Sequence, residues 1–177
     1  MNKDAVDKFV AARVVREIAR DLNATRERVF PLLCPVREYE WIEPWRCDLV
    51  YAASGVAEAG CVFRTDFPGD CGPEVWVVCR YEPPVRIEFV RVGPHRTVKM
   101  EIVLEELPGG RTRSLWRHEL TGLDPEGNAW VAQYGNETHA REMGMCLDML
   151  AHFLDTGRML PLAEIPGASG VLRFDHR

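Results

Sequence analysis

Between residues 46 and 123 apolar and polar positions alternate in short runs, each closed by turn residues. "RCDLVYAAS" reaches Gly55, "CVFRTDF" follows Gly60 and "EVWVVCRYE" runs to Pro83-Pro84. "VRIEFVRV" stops at Gly93-Pro94, "TVKMEIVLEEL" at Pro108-Gly109-Gly110, and "RTRSLWRHELTGL" closes the series. Runs of β-branched and aromatic residues at a period of two, punctuated by Gly and Pro, predict about six antiparallel strands. The alternation also assigns faces. Val98, Met100, Ile102 and Leu104 share one side and Lys99, Glu101 and Glu105 the other, with Val103 the apolar exception. Val85, Ile87 and Phe89 likewise oppose Arg86 and Glu88. A sheet with one wet and one apolar face follows.

The flanking segments carry other periods. Residues 10–22, "VAARVVREIARDL", read as a first strand because "NATRERVFPLL" then supplies a helix start. Asn23 and Thr25 are N-cap candidates, and Pro31 is tolerable in the first turns of a helix over about residues 26–33. A second, irregular helical piece is expected through "CPVREYEWIEPWRC", residues 34–47. From 125 to 156 the period becomes helical. Met143, Cys146, Met149, Leu150, Phe153 and Leu154 gather on one face, with Met145 at its edge and Gln133, Glu137, Arg141, Asp148 and Asp155 opposite. One long amphipathic helix is predicted, ending at the C-cap candidate Gly157. The expected domain is 1–156, with a Gly- and Pro-containing extension over 157–177.

Composition narrows the class. The 177 residues are 46% hydrophobic and 28% charged, ordinary for one globular domain able to bury its own core. A net charge of −5 without a Lys/Arg stripe predicts no nucleic-acid partner. No apolar run is long enough for a membrane helix, and charges fill the N-terminal stretch where a signal peptide would need an apolar one. A cytoplasmic protein is therefore expected. The six cysteines form no C-x-x-C pair, so buried free thiols are predicted rather than a metal site or disulfide framework.

A strand, two short helices, about six strands and a long helix make an α+β chain in which the last helix covers the apolar face of a curved sheet. With that order, "ATRERVFPLL", "CPVREYEWIEPWRCDLVYAASG" and "GCVFRT" resemble the START-like superfamily, also labelled SRPBCC. It includes polyketide cyclases and aromatases, Bet v 1-type proteins and Hsp90-activator-like proteins. The resemblance covers roughly residues 10–156 and is similar in detail to an uncharacterised bacterial subgroup. It implies a helix-grip fold, about seven antiparallel strands around a C-terminal helix, and a cavity accepting a hydrophobic or aromatic small molecule. The superfamily has no universal catalytic motif, and fold likeness does not assign chemistry.

Candidate chemistry lies where polar residues occupy apolar phases. In "RTRSLWRHEL", Arg113, Arg117 and Glu119 point outward, so Trp116 and His118 face the concave side. On the long helix His139 sits near the centre of the apolar arc, and Glu142, three residues on, is its neighbour. His118, His139 and Glu142 could form one polar cluster suited to acid–base work such as cyclisation or dehydration. Taken alone, each is more often a hydrogen-bonded core or cavity residue, with Glu142 snorkelling to the helix edge or paired to an arginine such as Arg64. Two histidines and a glutamate suit zinc or iron in ligand type, but nothing sets their spacing, and no metal or cofactor is predicted. Trp41, Trp45, Trp76, Phe89, Met100, Trp116, Tyr134 and Met143 complete the candidate ligand wall; the rings could also simply fill the interior. Trp41 and Trp45, in "CPVREYEWIEPWRC", either plug the end of the sheet or meet the ligand. No phosphate-cradling glycine motif or G-x-S-x-G elbow is present. Three functions stay open: small-molecule binding, a cyclase-, aromatase- or dehydratase-like enzyme, and an Hsp90-activator-like interaction module. A homodimer is compatible with each.

Overall fold

The computed structural model describes residues 8–67, 72–166 and 168. Strand β1 is Arg13–Leu22, followed by helix α1, Arg26–Val29, which runs into a 3-10 turn at Phe30–Leu33. Another 3-10 turn, Glu38–Glu40, lies within the tryptophan-containing loop. Strands β2 (Asp48–Tyr51), β3 (Val62–Thr65), β4 (Glu74–Glu82), β5 (Arg86–Val92), β6 (Arg96–Leu107) and β7 (Arg111–Gly122) follow. The sheet order is β1-β7-β6-β5-β4-β3-β2, a meander in which β1 returns beside β7, every pair antiparallel. Gly109 and Gly110, with φ of 82° and 70°, make the turn joining the two longest strands.

The predicted helix over 125–156 is two helices. Helix α2 spans Pro125–Gln133 and α3 spans Asn136–Thr156. The chain leaves helical geometry at Tyr134 (ψ 76°) and restarts from Gly135 (ψ 171°). Helix α2 has its own start signal, Asp124 followed by Pro125, with the Asp124 carboxylate accepting from Gly127 N–H at 2.8 Å. Its Val131 completes a small satellite core with Val98 and Leu120 at one end of the sheet. Helix α3 covers the concave face and stops at Gly157, in the left-handed region at φ 69°.

The main core joins Leu22, Phe30, Leu33 and Trp41 from the N-terminal third to Phe63, Ile87, Ile102 and Leu104 of the sheet and Leu147, Met149 and Leu150 of α3. The concave face is not wholly apolar, contrary to the alternation reading. Besides His118, which the alternation had already placed there, Arg16, Glu74, Arg91, Arg96 and Ser114 share the phase of its apolar residues. Outer-face charges follow expectation, and Glu88, 6% exposed there, is neutralised by Arg80 and Lys99. Of the cysteines, Cys34 and Cys61 are buried, but Cys79 is exposed, so not every thiol is sealed. An irregularity between Val78 and Arg80 interrupts the β4–β5 register there. Cys71 lies outside the described residues.

Beyond α3, Leu162 N–H donates to the Glu43 carboxylate at 2.7 Å, and Ile165 and Ala168 are buried against the main core. No described helix is long and apolar enough to cross a membrane.

Candidate functional site

Strand β7 and helix α3 bring His118 and His139 together, their rings edge-on at 5.0 Å between centroids. Nε2 of His139 lies 3.0 Å from Nδ1 of His118, so one ring donates and the other accepts. The two residues are 5% and 2% exposed. Burial, reinforced by the neighbouring His139 and Arg91, depresses the His118 pKa well below the ordinary value. Burial and the Arg16 charge lower His139 too. The pair is therefore neutral at physiological pH, each ring keeping one N–H and one lone pair.

Arg16, on the concave side of β1, donates through Nε and Nη2 to the carbonyl of Tyr134 at 3.2 and 3.1 Å. That carbonyl sits where α2 ends, so a cation meets the negative end of the helix. The anchored Tyr134 donates its hydroxyl to Glu142 at 2.9 Å. Burial, with Glu142 beside it, raises the phenol above its usual range. Arg64 was one possible partner for Glu142, but Arg64 is exposed on the outer face of β3. Tyr134 takes that place.

From Tyr134 a continuous set of contacts crosses the sheet. Its ring stacks on Trp130 at 4.8 Å, and the Arg96 guanidinium lies 3.6 Å from the Trp130 centroid. Arg96 donates to Glu74 at 3.2 Å; the other Glu74 oxygen meets Arg91 at 3.1 Å, and Arg91 lies over Trp76 at 4.8 Å. Glu74 is 2% exposed and Arg96 fully buried. Such charges persist in an interior because they are mutually paired.

The apolar candidates divide into groups. Trp76 stacks on Phe63 at 5.2 Å, Phe89 meets both edge-on, and Trp45 closes on Phe63, Phe67 and Trp76. Met100 links this cluster to the histidines, being paired in register with Phe89 on one side and His118 on the other. Trp116 shares the His118 face and donates to Ser114 Oγ at 2.8 Å. Trp41 stands apart, at 0% exposure, donating to the Leu32 carbonyl at 2.9 Å. Met100 and Met143 keep partial exposure although the first lies mid-strand on the concave face and the second follows Glu142 on α3. An open cleft of ≈ 420 Å³ on the far side, between α1 and the end of α3, contains none of the predicted site residues.

Arg16, Glu74, Arg91 and Arg96 were not predicted, although the signal that found His118 was available for each. Arg16 is in phase with Val14 and Ile18, Arg91 with Phe89, Arg96 with Val98, and Glu74 with Trp76. No group of His, Cys, Asp and Glu among the described residues is arranged to hold a metal ion.

A seven-stranded antiparallel sheet curved over a long C-terminal helix, with short helices between the first two strands, defines the chain as an α+β helix-grip protein. Solved structures share that fold at low identity. An uncharacterized protein from Rhizobium leguminosarum is similar at 21% identity and TM-score 0.58, over 82% of this chain and 97% of that one. Norcoclaurine synthase from Thalictrum flavum, in complex with dopamine and hydroxybenzaldehyde, is similar at TM-score 0.64 and 7% identity, over 90% and 96%. DynU16, from the dynemicin biosynthetic locus, is similar at TM-score 0.54 and 20% identity, over 81% of this chain and 48% of that one. No protein-family model matches the chain, and no curated protein matches it in sequence.

Proposed function

We propose that the protein binds a hydrophobic or aromatic small molecule between the concave sheet and α3, with the polar end of that molecule at His118 and His139. The observation that carries this reading is the buried, neutral histidine pair joining the two walls. Beside it, Tyr134 and Glu142 add a donor and an acceptor, while Met100, Trp116 and Met143 supply adaptable apolar surface. A few polar groups converging in an apolar surround are what orients a small ligand. Norcoclaurine synthase, a fold neighbour, holds two aromatic compounds, which makes aromatic ligands the first class to try.

The same pair supports a second reading, an acid–base enzyme of the cyclase or dehydratase kind. Each neutral imidazole keeps a lone pair that can take a proton, although burial makes it a weaker base than a free imidazole, and a partner ring can pass one on. Native mass spectrometry of protein purified from its own host separates the outcomes. A retained small molecule is expected. Consistent emptiness, with no response to hydrophobic fluorescent probes, would overturn the binding reading. For the enzyme, His118→Ala and His139→Ala should abolish turnover of the identified compound in folded protein; unchanged rates would exclude it.

A further inference from the structure

The turn between β5 and β6 meets the start of α2 at His95, outside the site described above. Nδ1 of His95 lies 2.7 Å from Oδ2 of Asp124, the N-cap residue of α2. Its Nε2 lies 3.7 Å from the carboxylate of Glu126, in the first turn of the same helix. A carboxylate only accepts, so each ring nitrogen suits its neighbour when it carries a proton. A neutral ring can donate to Asp124, but it then turns a lone pair toward Glu126. Only the imidazolium satisfies both. The His95 and Asp124 side chains are 31% and 38% exposed, so the ring exchanges its proton with solvent.

The junction is tight in its backbone as well. The His95 carbonyl accepts from Leu123 N–H at 2.8 Å, and Gly127 approaches it so closely that a Cβ would stand 1.7 Å away. Asn128 donates to the Val10 carbonyl at 2.9 Å and accepts from Ala12 N–H at 2.7 Å, bonds that do not titrate. Among the described residues, the charges facing the ring both come from α2. Arg96, next in the chain, turns its guanidinium to Glu74 and Trp130. Residues 10–12 and 121–123, the other segments at this junction, carry no ionisable side chain. The hydrogen bond to Asp124, with the fields of Asp124 and Glu126 behind it, outweighs burial and holds the ring's proton above the ordinary 6.5.

We propose that His95 is a proton-dependent latch between the β5–β6 turn and the start of α2, tight while the imidazole is charged and looser once it is neutral. The sign follows from linkage. Its contribution is complete below the ordinary value and is lost as pH rises through the higher, folded one. The Asn128 bonds keep α2 in place throughout, so the change is a loosening of the helix rather than its release. Helix α2 carries Trp130 onto Arg96 and ends at Tyr134, whose hydroxyl reaches Glu142. The latch therefore sets how firmly that end of the candidate site is held, whatever the site binds.

Hydrogen exchange on the full chain, followed by NMR from about pH 6 to about pH 8.5 and corrected for the intrinsic pH dependence of exchange, tests this. Protection of the α2 amides of Trp130 and Val131 is taken relative to Leu147, Met149 and Leu150, buried on α3, which removes changes common to the whole domain. That ratio should fall about two- to fivefold across the range, the scale of an exposed ion pair. In His95→Gln, whose amide can still donate to Asp124 but cannot titrate, the ratio should stay constant. Glu126→Gln changes an exposed residue and spares the cap, and it should shrink the decline. The ring protons of His95 in the wild type should titrate above 6.5, a readout that needs no variant. A ring that titrates at or below that value overturns the proposal. So does a wild-type ratio that ignores pH, a His95→Gln ratio that follows the wild type, or an undiminished decline in Glu126→Gln.

Discussion

Replacing His118 with phenylalanine tests the central pair, because it keeps a ring in place while removing both the titration and the hydrogen bond. Burial lowers the folded-state pKa of His118, so on acidification the unfolded chain takes up the proton first, around the ordinary value of 6.5. Stability is therefore complete above that value and declines below it. If the folded ring stays neutral down to pH 5, the loss is RT ln(1 + 10^1.5), about 2 kcal/mol. His139 adds a decline of the same sign. Glu38 opposes them. Its carboxyl is raised to about 8, so its contribution is complete below the ordinary 4.5 and lost as pH rises toward the folded value. The wild-type profile is thus a sum of opposed terms, and a flat curve would prove nothing. The difference between wild type and His118→Phe cancels Glu38. At pH 7 the variant should be less stable by about 1–3 kcal/mol, since His139 Nε2 loses its buried partner. By pH 5 that gap should narrow by up to about 2 kcal/mol. Urea unfolding at half-unit pH steps measures both. A gap constant to within about 0.5 kcal/mol across that range would refute the neutral-pair description.

Gly127→Ala should cost about 3 kcal/mol or more in thermal or urea unfolding, because the new Cβ would stand 1.7 Å from the His95 carbonyl oxygen. Gly135→Ala, whose Cβ meets nothing within 4 Å, is the matched control and should cost no more than about 1 kcal/mol, the N-cap preference for glycine over alanine. Trp41→Phe should destabilise by about 2–4 kcal/mol, since it empties part of a sealed site and strands the Leu32 carbonyl; a loss below 1 kcal/mol would count against the plug. Tyr134→Phe removes the donor to Glu142 and should cost about 1 kcal/mol while leaving the helical signal by circular dichroism unchanged; an unaltered stability would mean that the bond contributes nothing.

The strands and their faces were legible because alternation is a local property, and the register sets apolar residues side by side: Phe89 with Met100, Ile87 with Ile102, Ile102 with Trp116. The break at Tyr134 and Gly135 was not, since apolar periodicity continues across it while the cap that starts α2 lies ten residues upstream at Asp124. Half of the polar site was visible in the same way. His118 interrupts an apolar phase in mid-strand and His139 falls on the apolar arc of the helical pattern, where a polar side chain is conspicuous. Glu74, Arg91 and Arg96 obey the same phase, but they lie at or next to strand ends, where a charge is ordinarily solvated. They are buried here because α2 folds back on that end of the sheet and sets Trp130 against Arg96, a contact between residues 34 apart in sequence. Glu38 had no phase to betray it. A three-residue 3-10 turn carries no periodicity, so nothing in the sequence separates its partly exposed acid from an ordinary surface residue. The tryptophans drew attention to that loop, yet Trp41 is wholly sealed and Trp45 nearly so.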